Sequence, residues 1–203
     1  MSHSKHWDAV FSSAEDQDLG WYEHDASQTL KFLQRTELAA HSQVFLAGAG
    51  TSTLVDELLK SGCYLILNDI SMLALDKLKS RIGQGNYQLL HQDMGMPLQH
   101  IQTVDIWIDR AVLHFLTDEQ AIEQYFNNLK ASVKPSGYVL LAEFSKTGAE
   151  KCAGLAVHQY SVAEMQARLG ETFILIEAED YIFVSSQGQQ RPYVYGLFQR
   201  MQA

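Results

Sequence analysis

Apolar and polar positions follow one another in blocks that predict strands and amphipathic helices. The first apolar run, 44–46, leads into a glycine-containing turn at 47–52. A helical pattern over 53–61 follows, and then a second apolar run at 63–70. This spacing is typical of two parallel strands joined by a glycine turn and a crossover helix.

The remaining pattern extends this α/β reading over the whole chain. Further strands are predicted at 86–90, 104–109 and 138–144, and further helices at 5–12, 26–35, 71–83, 118–133 and 161–169. Residues 134–137 predict a helix exit and turn, and residues 145–160 a loop. The last two apolar runs, 173–185 and 193–200, predict an antiparallel hairpin.

The glycine turn has the features of a nucleotide cradle. Gly48 and Gly50 allow the backbone to approach a ligand closely, and the following helix directs amide N–H groups above the sheet edge. Asp69 comes 21 residues after Gly48, where a carboxylate can accept hydrogen bonds from a ribose diol. An NAD site would need a third glycine where this chain has Thr53. A glycine turn without any ligand is the other alternative.

Two later strands also end in polar residues. Asp93 follows the strand 86–90 and has Met94 beside it. Its carboxylate can accept a hydrogen bond from an adenine amino group. The alternative is that Asp93 is a turn or N-cap residue. Asp109, Arg110 and His114 follow the strand 104–109. Ligands of open α/β sheets bind beyond the carboxyl ends of the strands, so these groups are expected near the reacting centre.

Size and composition restrict the function. The 203 residues fit one domain, and the net charge of −9 with scattered basic residues disfavours a nucleic-acid partner. Cys63 and Cys152 are too few for a disulfide framework and lack metal-ligand spacing, so no metal is expected. The chain has no apolar run long enough to span a membrane, and its start lacks the apolar core of a signal peptide. These features favour a cytoplasmic protein that does not act at a membrane.

The motifs occur in the order found in small class I S-adenosylmethionine-dependent methyltransferases, which the chain resembles from about residue 7 to its end. The closest likeness is to a bacterial subgroup, and it is carried by GAGTS at 48–52, NDIS at 68–71, QDM at 92–94, DRAVLHFL at 109–116, KPSG at 134–137 and KCAGL at 151–155. The resemblance implies a Rossmann-like three-layer sandwich, with a seven-stranded, mostly parallel sheet whose last strand is antiparallel. It also implies one domain, 1–203, with 1–40 as a helical cap or lid.

The resemblance further implies S-adenosyl-L-methionine as the cofactor. The residues it assigns to cofactor binding are Gly48, Ala49, Gly50, Thr51, Asp69, Ile70, Asp93, Met94 and Asp109. Asp109 and Arg110 would lie near the sulfonium and the amino-acid end. Most such enzymes have an acidic residue two positions before the first glycine, but this chain has Leu46. The cofactor's ammonium group therefore needs another acceptor, and Asp109 or a backbone carbonyl is the expected one.

Methyl transfer depends mainly on aligning the acceptor with the methyl carbon, and it needs a base only if the acceptor arrives protonated. His114 is the candidate base, since an imidazole pKa near ~6.5 suits proton uptake at neutral pH. Alternatively, His114 is a helix-start residue bonded to a backbone carbonyl. With Asp109 and Arg110 it forms the expected catalytic set.

The acceptor is expected to meet four side chains, namely Trp21, Tyr22, Phe115 and Cys152. Trp21 and Tyr22 either close over the ligand as a lid or pack the two N-terminal helices against the domain. Cys152 either faces the acceptor or is simply packed.

The leading interpretation is a methyltransferase that acts on a small-molecule acceptor, as a monomer or homodimer. A protein-lysine methyltransferase is the alternative within the same chemistry, and the sequence of residues 109–111 argues against it. A non-catalytic cofactor-binding protein is an alternative of a different class. An NAD-dependent oxidoreductase is disfavoured by Thr53.

Overall fold

A computed structural model describes residues 3–98 and 102–202. The helices are α1 (Ser4–Ser13), α2 (Ser27–Leu33), α3 (Leu54–Lys60), α4 (Met72–Ile82), α5 (Glu119–Ser132) and α6 (Val162–Leu169). The strands are β1 (Gln43–Ala47), β2 (Tyr64–Asp69), β3 (Tyr87–His91), β4 (Val104–Arg110), β5 (Val133–Phe144), β6 (Lys151–Cys152), β7 (Leu155–Ala156), β8 (Phe173–Val184) and β9 (Gln190–Arg200). Short 3-10 turns lie at Asp16–Asp18 and Leu113–Phe115.

Seven of the strands form one sheet in the order β3-β2-β1-β4-β5-β9-β8. β1 to β5 run parallel to one another, and β9 is antiparallel to both β5 and β8. The predicted fold, a mostly parallel sheet with an antiparallel last strand, is therefore confirmed. Because β1 lies between β2 and β4, the glycine turn after β1 stands at the centre of the carboxyl edge.

The core consists of two apolar layers, one on each face of the sheet. Alternation along β1 directs Val44 and Leu46 to one layer, and Phe45 and Ala47 to the other. Helices α2 and α3 cover the first layer, while α5 and α6 cover the second. The result is the expected three-layer sandwich. Among the described residues, no helix is long and apolar enough to cross a bilayer.

The N-terminal helix α1 is fastened to the start of α4. Asp8 Oδ1 accepts hydrogen bonds from Ser71 Oγ at 2.6 Å and from the Leu73 backbone N–H at 3.3 Å. Ser71 is also the N-cap of α4, since its hydroxyl accepts from the Ala74 amide. These bonds hold α1 beside the carboxyl edge of β2. The expected cap, 1–40, is described from residue 3 onward.

The predicted boundaries hold to within a few residues except at β5. This strand begins at Val133, directly after α5, so residues 134–137 lie within it rather than in a turn. The pairing with β4 shifts register between Val104 and Ile106, and Ser136 has a φ of 64°. The expected loop 145–160 contains the small hairpin of β6 and β7.

Candidate functional site

One pocket of about 860 Å³ opens at the carboxyl ends of β1, β2 and β4. Its floor is the glycine turn, its sides follow the ends of β2, β3 and β4, and part of its wall comes from α1 and the segment 21–23. Many of the predicted site residues line it: Gly48, Ala49, Gly50, Thr51, Asp69, Ile70, Asp93, Met94, Arg110, Trp21, Tyr22 and Phe115.

The glycine turn has a backbone conformation that favours glycine. Gly48 and Gly50 have φ values of 57° and 48°, a region that side chains disfavour. A Cβ on Gly48 would lie 2.0 Å from Val112 Cγ2. A Cβ on Gly50 would lie 3.3 Å from Phe11 Cζ and would narrow the pocket floor. Glycine at these positions therefore keeps the turn and leaves room for a ligand.

Asp69 is held at the end of β2 by two backbone amides. Its Oδ2 accepts from the Gly50 N–H and its Oδ1 from the Ser71 N–H, both at 2.8 Å. The side chain lies at the pocket wall although the residue is only 5% exposed, and burial raises the pKa of its carboxyl to about 6. Each carboxylate oxygen can accept a second hydrogen bond, so Asp69 can still receive hydroxyl donors from a ligand.

Asp93 and Met94 form the wall beyond β3. Asp93 Oδ1 accepts from the Gly95 N–H at 2.9 Å, as a turn residue does, and the same side chain lines the pocket. The Asn128 side chain of α5 donates to the backbone carbonyls of Met94 and Met96, at 3.1 and 2.8 Å. This turn is thereby fixed to a rigid helix.

Arg110 lines the pocket at the end of β4, and its partner is an acid that the sequence did not single out. Arg110 Nε lies 3.0 Å from Glu23 Oε1, and its Nη1 donates to the Trp21 carbonyl at 3.1 Å. The guanidinium also lies over the rings of Phe183 and Tyr193. Burial raises the pKa of the Glu23 carboxyl, and the positive charge of Arg110 opposes this effect. The pair brings opposite charges to the β4 side of the pocket.

Asp109 does not line the pocket, which contradicts its expected cofactor contact. Adjacent strand residues face opposite sides of a sheet, so Asp109 points toward α5 while Arg110 points toward the pocket. The Asp109 carboxylate accepts from the amides of Val112 and Leu113, at 3.0 and 3.2 Å, and from the Tyr125 hydroxyl. Burial, and then the neighbouring Glu143, raise its pKa well above the usual range. Asp109 thus stabilises the turn after β4.

His114 is also outside the pocket, and its position does not suit a base that meets the acceptor. The residue has no exposed surface, and its ring stacks on Phe144 with centroids 4.6 Å apart. Its Nδ1 lies 2.7 Å from Glu143 Oε2. Burial lowers the pKa of the imidazole, because it disfavours the charged form. The 3-10 turn at Leu113–Phe115 directs His114 inward and leaves Phe115 at the pocket.

Three of the four predicted acceptor residues line the pocket, and Cys152 does not. Cys152 is packed in the core with Arg191 Nη1 at 3.4 Å from its sulfur. The pocket contains instead three residues from the start of the chain that the sequence did not indicate: His3, Trp7 and Phe11. Trp7 packs edge-on against Phe115 and Trp21, with centroids 4.7 and 5.6 Å apart. An aromatic wall therefore covers the β4 side of the pocket.

This arrangement can bind a nucleoside with a charged appendage. The glycine turn provides space for a ribose, and Asp69 provides hydrogen-bond acceptors for its hydroxyls. Asp93 and Met94 can contact a base. Arg110 and Glu23 offer opposite charges to a zwitterionic group. Among the described residues, no group of three or more His, Cys, Asp or Glu side chains is placed to hold a metal ion.

Residues 46–141 match the family model described as "Methyltransferase domain". The match runs from β1 to β5, so it includes the glycine turn, Asp69, Asp93 and Arg110. No curated protein matches the chain by sequence.

Solved structures resemble this fold at low sequence identity. The N-methyltransferase NodS from Bradyrhizobium japonicum WM9, in complex with S-adenosyl-L-homocysteine, has a TM-score of 0.75 and 13% identity, over 98% of this chain and 99% of that one. A SAM-dependent methyltransferase from Anabaena variabilis has a TM-score of 0.77 and 15% identity, over 98% and 93%. The 1,6-didemethyltoxoflavin-N1-methyltransferase of Burkholderia thailandensis, with 1,6-didemethyltoxoflavin and S-adenosylhomocysteine bound, has a TM-score of 0.68 and 16% identity, over 98% and 84%.

Proposed function

We propose that this chain is a class I S-adenosylmethionine-dependent methyltransferase that methylates a small molecule held in the pocket beside the cofactor. The observation that carries the proposal is the pocket itself. At about 860 Å³ it lies near the upper end of the range for ligand sites, roughly 300–1,000 Å³. Such a volume accommodates a nucleoside cofactor together with a small acceptor.

The cofactor is assigned to the side of the pocket formed by β1, β2 and β3. The proposal gives Asp69 the ribose hydroxyls, Asp93 and Met94 the adenine, and Gly48, Ala49, Gly50 and Thr51 the adjoining backbone contacts. Ile70 would pack against the base. The lack of a side chain at Gly50, on the pocket floor, and the position of Asp69 at the pocket wall support this assignment.

The acceptor is assigned to the aromatic side of the pocket, next to Trp21, Tyr22 and Phe115. Trp7 completes this wall, so α1 belongs to the site as well as to the expected cap. A wall of aromatic rings suits a flat or apolar small molecule. The structural likeness to an enzyme solved with bound 1,6-didemethyltoxoflavin agrees with an acceptor of that size. Both cysteines are free thiols, which is consistent with a reducing compartment such as the cytoplasm.

The catalytic contribution of the chain would be alignment and exclusion of water. A sulfonium supplies an activated methyl group, so the protein must mainly hold the acceptor in line with it. Arg110 would hold the cofactor, the aromatic wall would orient the acceptor, and α1 would keep water out. We assign no proton transfer to His114, because its imidazole is buried away from the pocket.

Incubation with S-adenosylmethionine carrying a labelled methyl group tests this proposal. The acceptor panel should contain small aromatic amines, thiols, phenols and carboxylates, together with lysine-rich proteins. The Asp69→Ala variant serves as the control with weakened cofactor binding, since transfer by this protein should fall in it when the cofactor is held below the variant's Kd. Labelling of a small molecule supports the proposal. Labelling of proteins alone, or tight cofactor binding without transfer to any acceptor, contradicts it.

A further inference from the structure

The end of β1 lacks the acidic residue that the resemblance implies, and Leu46 stands in its place. Leu46 lines the pocket and pairs with Ile108 of β4. Side chains two residues apart on a strand share a face, so Arg110 lies on the same face of the sheet as Ile108 and Leu46, one step nearer the carboxyl edge. An acid needed beside the glycine turn must therefore come from another segment.

The segment 21–23 supplies such an acid, and two hydrogen bonds hold it in place. The Trp21 carbonyl accepts from Arg110 Nη1 at 3.1 Å, and the Glu23 carbonyl accepts from Thr53 Oγ1 at 3.2 Å. Thr53 directly precedes α3, at the end of the glycine turn. The segment is thus tied to both β4 and the glycine turn, which fixes the backbone of Glu23 over the pocket.

The Glu23 side chain is a largely buried carboxylate at the pocket wall. Its exposed fraction is 12%, and its Oε1 lies 3.0 Å from Arg110 Nε. The two charges balance each other, so a neutral zwitterion can replace part of this pairing without leaving a buried charge unpaired. An amino-acid group is such a zwitterion, with an ammonium for Glu23 and a carboxylate for Arg110.

We propose that Glu23 takes over the role of the missing acid and binds the ammonium group of S-adenosylmethionine, while Arg110 receives the carboxylate. Asp109, the acceptor expected from the sequence, is excluded because its carboxylate faces α5. Asp69 lies on the far side of β1 from Arg110. Neighbouring strands are about 4.8 Å apart, so β2 and β4 are separated by roughly 10 Å. This separation leaves room for the ribose beside Asp69 and for the amino-acid group beside Arg110.

The inference rests on S-adenosylmethionine as the cofactor and not on the proposed acceptor, so its test needs no methyl transfer. Calorimetric titration should compare the Glu23→Gln variant with the unaltered protein, using S-adenosylhomocysteine and 5′-methylthioadenosine. The second ligand has the same nucleoside and no amino-acid group. Glu15→Gln, an exposed change in the same N-terminal region, is the matched control.

For Glu23→Gln we expect a Kd for S-adenosylhomocysteine that is about 10- to 100-fold higher, the effect of losing one charge-assisted hydrogen bond. The Kd for 5′-methylthioadenosine should stay within about twofold of the unaltered value. The Glu15→Gln control should bind both ligands normally. Unchanged affinity for S-adenosylhomocysteine in Glu23→Gln overturns the assignment. An equal rise in the Kd of both ligands also overturns it, because Glu23 would then only maintain the shape of the site.

Discussion

Replacing Asp69 by alanine perturbs the proposed ribose contact at the end of β2. The carboxylate currently accepts from the Gly50 and Ser71 amides, and each oxygen has one further acceptor position. The variant loses the ribose contacts and also leaves these two amides without their partner. Cofactor affinity and stability should therefore both decline.

The expected loss of binding free energy is on the order of 1 to 3 kcal/mol, the range for hydrogen bonds to a charged group. This corresponds to a Kd for S-adenosylhomocysteine that is roughly 5- to 150-fold higher. The Gly50 amide adjoins the pocket, where water can reach it, but Ser71 is fully buried, so its amide stays without a partner. We therefore expect a stability loss of about 1 to 3 kcal/mol.

Calorimetric titration with S-adenosylhomocysteine measures the first effect, and urea unfolding measures the second. Asp76→Ala is the matched control, because Asp76 is exposed on the adjoining helix α4. Titration must be made where the unfolding curve shows the variant to be folded. A Kd equal to that of the unaltered protein would refute the ribose contact and, with it, the assigned orientation of the cofactor.

Three further predictions concern pH, the glycine turn and the buried histidine. The pKa of Asp69 is raised from 3.8 to about 6, so the folded state binds the proton more tightly and its stability should fall as pH rises from about 4 to 6. Urea unfolding at several pH values measures this decline, which should be smaller by up to about 3 kcal/mol in Asp69→Asn. An unchanged pH profile in that variant would contradict the raised pKa of Asp69. Gly48→Ala should lower the free energy of unfolding by about 3 kcal/mol or more, because the new Cβ clashes with Val112. The control Gly188→Ala, at a positive φ with no atom within 4 Å of the new Cβ, should lower it by only about 1 kcal/mol. Equal losses in urea unfolding would disprove the clash. His114→Ala should lower the free energy of unfolding by roughly 2 to 4 kcal/mol, because it leaves a cavity beside Phe144. Its affinity for S-adenosylhomocysteine should stay within about threefold of the unaltered protein's. An unchanged unfolding curve together with loss of methyl transfer would restore a catalytic role for His114.

The sequence predicts the geometry around the glycine turn well because its determinants are local. The glycine turn, the crossover helix and Asp69 follow one another within one βαβ unit, and their spacing alone places the carboxylate beside the turn. The alternation of apolar residues likewise predicts which strands lie in the sheet. The structure confirms this part of the fold.

The contacts of β4 were harder to predict, because neighbouring residues point in opposite directions. Asp109 and Arg110 both stand at the strand end, but the pattern does not show which of them faces the pocket. His114 lies in a short 3-10 turn whose direction depends on packing against Phe144. The sequence pattern places Asp109 and His114 near the ligand, whereas the structure buries both side chains away from the pocket.

The pairing of Glu23 with Arg110 has no local sequence signal at all. The two residues lie on different elements far apart along the chain, and only the folded structure brings them together. The same holds for His3, Trp7 and Phe11 in the pocket. A hydrophobic and aromatic pattern in α1 is equally typical of core packing, so periodicity could not assign these residues to a site.

A crystal structure of the protein with S-adenosylhomocysteine is the most direct test of the central claim, that the carboxyl edge of β1, β2 and β4 holds the cofactor. We predict ribose hydroxyls hydrogen-bonded to Asp69, adenine beside Asp93 and Met94, and the amino-acid group between Glu23 and Arg110. The reverse orientation, or binding anywhere other than above the turn at Gly48 and Gly50, would contradict the account.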